Sequence, residues 1–375
     1  MRHALIALAI GVVVLWATAG VARAYPQFQL STGADRCTAC HFSPSGGGLL
    51  NDYGRDEAGD TISGGGDGRF LYGAWTPPDA LQLGLDLRAA AGVKDSLDPA
   101  YALAFPMQSD IYARVGGSSG LSFTAILGLR DSARPPASPW FDMLASREHY
   151  VMYQGDDWYV RAGRFFPIYG VRSQDHTIYV RKFLDLGLLQ EPYGVGAGKY
   201  GDEYEAHVMV FAPQPSPFFG AAPNDYGVAA YYERRVADSK GAWAAQTRIM
   251  GGPDERRAMV GGVGKYWLED QKTMLLGELD LGVQTFPHGG PARGQLAAYA
   301  GASYLPKPGW MFGGDLQAWK ADLLLTGDSR TATSLNAQWF PSAHWEVHLL
   351  GRLEAQALRY DHPELLALLQ LHYYL

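Results

Sequence analysis

The sequence predicts an all-β fold, an antiparallel barrel of about 16 strands of the outer-membrane type, preceded by a short segment of different character. Three observations predict it. From residue 81 onward apolar and polar side chains alternate, the alternating segments number sixteen, and their connections are alternately short and long. We divide the chain into a leader (1–24), an N-terminal segment (25–78) that plugs the barrel, and the barrel itself (79–375).

Residues 1–24 have the pattern of a secretory signal peptide. Arg2 and His3 give a basic start, an apolar run extends from Ala4 to Ala17, and Ala22-Arg23-Ala24 is a small-x-small cleavage site. An uncleaved membrane anchor is the alternative, but the apolar run is shorter than the roughly 20 residues that a spanning helix needs. We therefore expect an exported protein.

The next feature is the run Cys37–His41, which reads Cys-Thr-Ala-Cys-His and contains both cysteines of the chain. This spacing is the c-type haem attachment signature. It predicts one covalent haem c, with Cys37 and Cys40 as the thioether positions and His41 as an axial iron ligand. A zinc or thioredoxin-like site is the alternative, but zinc needs two further nitrogen or sulfur ligands, and none follow closely.

The segment around this motif, residues 25–78, is rich in glycine and shows no alternating strand. Such a segment buries little apolar area alone, and a covalent haem would supply apolar surface. Gly46–Gly48 would let the backbone approach the porphyrin, whereas Gly64–Gly68 is equally well a flexible linker. The residues expected to pack on the haem are Phe42, Leu49, Leu50 and Tyr53.

A second axial ligand is missing from the segment. No methionine or histidine occurs between Tyr25 and Arg36 or between Phe42 and Pro106, although small cytochromes often supply a methionine themselves. The sixth position is therefore filled from the barrel, filled by water or a weak ligand, or left open. We expect the segment to dock into the barrel.

The strands show the alternation most clearly at three places. In 81–88 four leucines oppose Gln82, Gly84, Asp86 and Arg88, and 275–284 and 345–354 repeat the pattern with acidic and basic residues on one face. A soluble sandwich would also alternate, but it gives no reason for connections of alternating length. The sixteen strands are expected to begin near residues 81, 107, 120, 147, 157, 192, 203, 225, 241, 256, 272, 294, 309, 330, 343 and 364.

The short connections are expected at the periplasmic end and the long ones outside, as in bacterial outer-membrane barrels. Aromatic residues near the strand ends would form girdles at the two interfaces. The last strand is apolar at every second position, which resembles the terminal strand of such barrels. The expected girdle residues are Trp140, Phe141, Trp158, Trp310, Trp319, Trp339 and Phe340.

The longest connection, Phe166–Glu191, follows the fifth strand and resembles the loop of sixteen-stranded porins that folds into the lumen. It carries Arg172, Asp175, Arg181 and Lys182, which we expect to act on a haem propionate or on the haem potential. It also carries His176, the residue we name as candidate sixth ligand. The inward-phased His207 and His348 are further candidates.

A haem motif followed by a sixteen-stranded barrel in one chain resembles the fused monohaem c-type cytochrome–porins of the bacterial outer membrane, a family that includes outer-membrane iron oxidases. The resemblance implies an outer-membrane electron-transfer conduit. Electrons would pass between an extracellular donor or acceptor, with Fe(II) as one candidate, and a periplasmic cytochrome. If the chain is an enzyme, it is then an oxidoreductase of the extracellular electron transfer or iron oxidation type.

Two other functions stay open on the sequence. One is a diffusion porin whose haem-bearing segment acts as a plug or gate; the other is a five-coordinate haem with peroxidase-like or gas-sensing chemistry. The net charge is −7, or −9 once Arg2 and Arg23 leave with the leader, and no basic stripe suggests a nucleic-acid partner. The sequence also lacks a recognisable Ser/His/Asp spacing, a phosphate-binding glycine loop and an HExxH motif.

Overall fold

The computed structural model describes residues 25–95, 100–129, 144–187, 190–213, 225–357 and 363–375. The predicted signal peptide and the expected girdle residues Trp140 and Phe141 lie outside these ranges. Within them, no helix combines the length and the apolar composition of a membrane span.

The described residues form sixteen strands, each hydrogen-bonded antiparallel to its two neighbours in a closed barrel. The predicted fold class is therefore confirmed. The first eight strands are β1 Leu81–Asp95, β2 Tyr101–Gly116, β3 Leu121–Leu129, β4 Leu144–Gln154, β5 Trp158–Arg164, β6 Tyr193–Tyr200, β7 Tyr204–Ala212 and β8 Tyr226–Val236. The others are β9 Gly241–Gly251, β10 Arg256–Leu268, β11 Thr273–Thr285, β12 Arg293–Lys307, β13 Trp310–Lys320, β14 Ser329–Trp339, β15 Trp345–Gln356 and β16 Glu364–Tyr374.

The helical elements are short. The segment before the barrel contains α1 (Pro26–Gln29), a 3₁₀ turn at Cys37–Ala39, α2 (Asp52–Glu57) continuing into a π-helical turn at Ala58–Ile62, and a 3₁₀ turn at Phe70–Gly73. In the loop between β5 and β6 lies α3 (Tyr179–Lys182).

The barrel closes between its first and last strands. β1 pairs with β16 from Asp86↔Tyr374 to Asp95↔Leu365, and the chain end extends the ladder, because Leu375 and Leu85 exchange both backbone hydrogen bonds. No strand edge is then left for lipid to face, which is what an unsolvated backbone requires.

Strand β2 is where the predicted boundaries fail most. It begins at Tyr101 rather than near 107, because the chain passes through Pro106 as a strand. The register between β1 and β2 shifts between Arg88 and Ala89, directly opposite this proline. A bulge accommodates a residue that has no N–H to donate, so Pro106 does not end the strand.

The two faces of the barrel have opposite chemistry. Leu279 on β11 is 50 % exposed and its neighbour Asp280 is fully buried, and the other strands repeat this alternation. A soluble sandwich would show the reverse sense, with apolar residues inside. The outer face is the apolar band that a lipid-facing barrel needs.

The aromatic girdle is confirmed in part. Trp158 and Trp339 are exposed at strand ends beside the short turns, and Trp310 stacks on Trp339 with ring centroids 5.9 Å apart. Two expectations are wrong. Trp319 points into the lumen and stacks on Phe183, and Phe340 is buried against the N-terminal segment.

Candidate functional site

The N-terminal segment closes the barrel at the end that carries the short turns. Its backbone bonds to these turns directly: Gly64 N–H donates to Phe340 O, Gly309 N–H donates to Ile62 O, and Ala343 N–H donates to Gly65 O. The segment is thus a plug fixed to the barrel rim by main-chain hydrogen bonds.

Further inside, the plug meets charged side chains of the lumen. Lys265 Nζ on β10 donates to Gln29 Oε1 at 2.9 Å. Arg161 on β5 donates to Ser45 Oγ at 3.2 Å, while Arg172 of the β5–β6 loop donates to Pro44 O at 3.4 Å. The plug therefore contacts both the barrel wall and the loop that enters the lumen.

The β5–β6 loop does fold into the lumen, as expected. Tyr169 donates to Asp280 Oδ1 at 2.7 Å, Tyr179 N–H donates to Gln317 Oε1 at 2.9 Å, and α3 packs against β11, β12 and β13. Together the loop and the plug bury almost all inward-facing charged side chains of the described strands.

The Cys-x-x-Cys-His run forms a tight turn in the plug. The N–H groups of Cys40 and His41 both donate to Cys37 O, at 3.3 and 2.9 Å, and His41 then forms an isolated bridge with Leu50. The turn thus presents both thiols and the imidazole from one short stretch of chain.

Asn51 holds this turn in place. Its Nδ2 donates to Thr38 O at 3.1 Å and to Ala39 O at 2.9 Å, and its Oδ1 accepts from Gly54 N–H at 2.9 Å, which caps helix α2. One side chain therefore joins the turn to the helix that follows it.

The motif faces a cavity of about 970 Å³, counting its open mouth. Cys37, Cys40 and His41 line it together with apolar side chains of the plug and the barrel rim. The apolar side chains on its wall include Phe28, Ala34, Leu50, Ala58, Ile62 and Phe340.

Burial fixes the protonation of all three motif residues. It raises the pKa of Cys37, against the smaller opposite effect of the nearby Arg172 charge, and it raises the pKa of Cys40 to about 12. The same cause lowers the pKa of His41 to about 4, which neighbouring backbone groups of Gly48 and Gly47 only partly offset. The imidazole is therefore neutral, as an iron ligand must be.

These residues fit a covalent haem. Both cysteines are free of any disulfide, and the buried Nδ1 of His41 has no hydrogen-bond partner. Gly47 and Gly48 line the same cavity with φ angles of 72° and 61°, which bring backbone rather than side chain to the wall. The donor set, the apolar walls and the close backbone are those that an attached porphyrin requires.

The residues expected to pack on the haem divide into two groups. Leu50 lines the cavity. Phe42 and Leu49 turn instead to the barrel wall, where they join Tyr112 in a separate apolar cluster, and Tyr53 is 42 % exposed. The extended bridge between His41 and Leu50 explains this, since neighbouring residues of an extended chain point to opposite sides.

The three histidines named from sequence do not line this cavity. His176 and His348 line a different one, beside Asp175. His207 bonds through Nδ1 to Tyr159 Oη at 3.1 Å and faces Glu205 at 3.6 Å.

The second histidine of the motif cavity is His372 on β16, which the sequence analysis missed. Its signal was present: Leu369, Leu371 and Tyr373 face outward, so the even-numbered positions of this strand face the lumen.

His372 belongs to a buried charged cluster at the seam where the barrel closes. Its Nε2 lies 2.7 Å from Asp86 Oδ1 and its Nδ1 lies 2.7 Å from Glu346 Oε2. Arg88 Nη2 lies 3.0 Å from Nδ1, and the hydroxyl of Tyr25 donates to Glu346. The cluster joins Tyr25, the plug residue before α1, to β1, β15 and β16.

The charged residues of the β5–β6 loop have separate roles. Arg172 pairs with Glu205 at 2.9 Å close to Cys37, and Asp175 pairs with Arg352 on β15 at 2.6 Å. Arg181 donates to main-chain oxygens within the loop itself. Lys182 lies over the Phe183 ring.

Comparison with solved structures shows that the barrel has the fold of bacterial outer-membrane proteins. OmpT of Vibrio cholerae (trimer form) superposes with a TM-score of 0.61 at 11% identity, covering 79% of this chain and 100% of that chain. The anion-selective porin from Comamonas acidovorans gives 0.59 at 11%, over 79% and 99%. The channel DcaP of Acinetobacter baumannii gives 0.57 at 11%, over 80% and 99%.

The chain has the porin fold. This fold and the outward apolar band place it in the bacterial outer membrane, as predicted. No protein-family pattern and no curated protein matches the sequence. The likeness lies in the barrel, and the porin fold by itself says nothing about the cysteine–histidine turn.

Proposed function

We propose that this porin-fold chain is an outer-membrane electron-transfer conduit, which carries one haem c on Cys37 and Cys40 with His41 as an axial ligand. The observation that carries the proposal is the placement of the motif. The two thiols and the neutral imidazole face one apolar cavity whose walls come from the plug and the barrel rim. When bound, a haem supplies reversible one-electron chemistry at a potential set by its ligands and surroundings.

The closed lumen supports conduction of electrons over diffusion of solutes. Arg161 and Arg164 point inward and are at most 2 % exposed. Ser45 of the plug and Phe166 of the β5–β6 loop accept from Arg161, and Glu191 of the same loop pairs with Arg164. An open porin keeps such side chains in water. A filled lumen instead holds a cofactor in a fixed position within the wall.

The plug end suggests where the partners bind. The motif cavity lies between the plug and the barrel wall, and the plug is bonded to the short turns, which are periplasmic in outer-membrane barrels. A periplasmic electron carrier, a cytochrome, is the partner we expect there. The extracellular donor or acceptor, such as a metal ion, would approach from the end that carries the long loops.

The second candidate is a diffusion porin in which the haem-bearing plug acts as a gate. The porin fold itself favours it, since the solved structures that resemble this barrel include a channel and an anion-selective porin. In that case the plug and the β5–β6 loop would have to leave the lumen before solutes pass.

Reconstitution in liposomes separates the two candidates. We expect haem-loaded protein to reduce or oxidise an enclosed redox dye from outside, with no sugar-driven swelling of the vesicles. The matched control is the Cys37→Ala/Cys40→Ala variant, which keeps the barrel and loses the covalent haem. Swelling without electron transfer would overturn the conduit and favour the gated porin.

A further inference from the structure

We infer that the haem cavity leaves the second axial position to a small external ligand, because Asp86 and Glu346 hold His372 in a state that cannot bind iron. This inference rests on the haem attachment proposed above. It goes beyond electron conduction, since it assigns to the same site the binding of a small neutral molecule such as carbon monoxide.

The side chains around the cavity limit the choice of ligand. Among the described residues that line it, nitrogen and sulfur donors of the kind iron prefers belong to Cys37, Cys40, His41 and His372. The motif itself uses the first three. His372 is therefore the candidate that decides whether the protein supplies a second strong ligand.

His372 has no lone pair to offer in this arrangement. Both ring nitrogens lie 2.7 Å from a carboxylate oxygen, Nε2 from Asp86 and Nδ1 from Glu346. Asp86 only accepts, so Nε2 carries hydrogen. Nδ1 either donates to Glu346 or accepts from the Arg88 guanidinium, which lies 3.0 Å away and only donates. In both arrangements neither ring nitrogen has a free lone pair, which a metal ligand needs.

The register of the barrel fixes this arrangement. His372 lies directly opposite Glu346 on β15 and directly opposite Arg88 on β1. Glu346 also accepts hydrogen bonds from Gln338, at 2.7 Å, and from Tyr25. To free Nδ1 or Nε2, the protein would have to leave a buried carboxylate without its partner, which costs several kcal/mol for a buried ion pair.

The oxygen donors on the cavity wall are engaged elsewhere as well. Thr32 Oγ1 donates to Phe28 O at 2.8 Å, Tyr25 donates to Glu346, and Tyr112 Oη accepts from Gln108 at 3.2 Å. Tyr374 also lines the cavity, and its phenol is a further oxygen donor on the wall.

The walls select the kind of external ligand. The lining is mainly apolar, with Phe28, Leu50 and Phe340 among its members. A charged ligand would lose its hydration there without a free counter-charge, since Arg36 is already bonded to Asp35. A small neutral diatomic molecule loses little hydration on entering the cavity and needs no counter-charge.

Carbon monoxide is the probe. The reduced, haem-loaded protein is titrated with it in detergent, and coordination is read from optical and resonance Raman spectra. We expect a five-coordinate or water-ligated haem that forms a carbon monoxide adduct. The variants His372→Gln and Tyr374→Phe should change the carbon monoxide affinity by less than about tenfold, 1.4 kcal/mol. His149→Gln on β4, whose imidazole bonds to Ser146 and Tyr193, is the matched control.

The opposite results would overturn the inference. A wild-type haem that is six-coordinate and does not bind carbon monoxide would overturn the inference without any variant. Gain of carbon monoxide binding in His372→Gln would identify His372 as the ligand, and gain in Tyr374→Phe would identify the phenol. Protein without thioether haem overturns the proposed function too, whereas carbon monoxide binding without electron transfer overturns the conduit alone.

Discussion

Gly54 lies directly against the carbonyl oxygen of Cys40, so closely that a Cβ at position 54 would overlap that oxygen. Helix α2 therefore packs on the cysteine–histidine turn through bare backbone. The glycine is required here by close approach, since its own φ is not in the left-handed region. The second cysteine of the motif is positioned by this contact as well as by Asn51.

The substitution Gly54→Ala should displace the turn. The added methyl group meets main-chain atoms, which have no other rotamer to adopt, so Cys40 must move. We expect a several-fold lower yield of covalent haem, measured by haem staining of denaturing gels, and an unchanged barrel. Gly117→Ala is the control, because a Cβ there meets nothing within 4 Å. Equal haem yields in both variants would contradict the prediction.

Substitutions at Asn51 should separate its two roles. Asn51→Asp keeps an oxygen to accept from Gly54 N–H but loses both donor bonds to the turn, whereas Asn51→Ala loses the cap as well. Loss of an N-cap costs about 0.5–2 kcal/mol. We expect hydrogen exchange in 37–57 to rise in Asn51→Asp and to rise further in Asn51→Ala. An aspartate variant with wild-type exchange would show that the bonds to Thr38 and Ala39 are dispensable.

The strand pattern of this barrel was predictable because lipid imposes it. Leucines on one face and charges on the other, as in 275–284, follow from a wall with one apolar side. The same rule gives the inward phase of His372. Residues whose position depends on contacts across the lumen were not predictable. Trp319 is an aromatic residue near a strand end, as a girdle residue would be. Its inward orientation depends on stacking with Phe183, which lies far away in sequence.

The attachment motif was predictable from the sequence, but the residues that surround it in the fold were not. Five consecutive residues at 37–41 define the attachment motif. His372, the second histidine of the motif cavity, is separated from the motif in sequence by the whole barrel. Only the closure of β1 on β16 brings His372 near the motif. His176 was chosen for its place in the longest loop, but the loop runs toward Arg352 and carries His176 into another cavity.

The pair Asp175–Arg352 should hold the β5–β6 loop in the lumen. Arg352 is buried and Asp175 is half-buried, so loss of the guanidinium leaves a partly desolvated carboxylate without its partner. The loop also loses the bond from Arg352 to Thr177. We expect Arg352→Gln to raise single-channel conductance in planar bilayers above the low wild-type level. Arg256→Gln, an exposed position on β10, is the control. Unchanged conductance in Arg352→Gln would mean that other contacts suffice to hold the loop.

The same pair predicts how the lumen responds to pH. Burial alone would raise the pKa of Asp175, but Arg352 and Thr177 hold it well below its usual range. A carboxylate with a depressed pKa stabilises the folded loop above its unfolded pKa of about 3.9 and loses this effect as the pH falls through the folded value. We expect wild-type conductance to stay low from pH 7 to about 4 and to rise only under stronger acid. A rise near pH 6 would contradict this assignment.

Loss of the covalent haem should loosen the plug and leave the barrel intact. The sixteen strands are joined by their own ladder, whereas the plug lines an open cavity and has little apolar core of its own. In the Cys37→Ala/Cys40→Ala variant we expect wild-type heat-modifiable gel mobility together with faster proteolysis within 25–78. In Cys37→Ala alone, the rate of proteolysis within 25–78 should lie between those of the wild type and the double variant, because one thioether still tethers the cofactor. If the plug of the double variant resists protease as well as the wild type, its stability comes from the barrel contacts at Gly64 and Lys265 rather than from the cofactor.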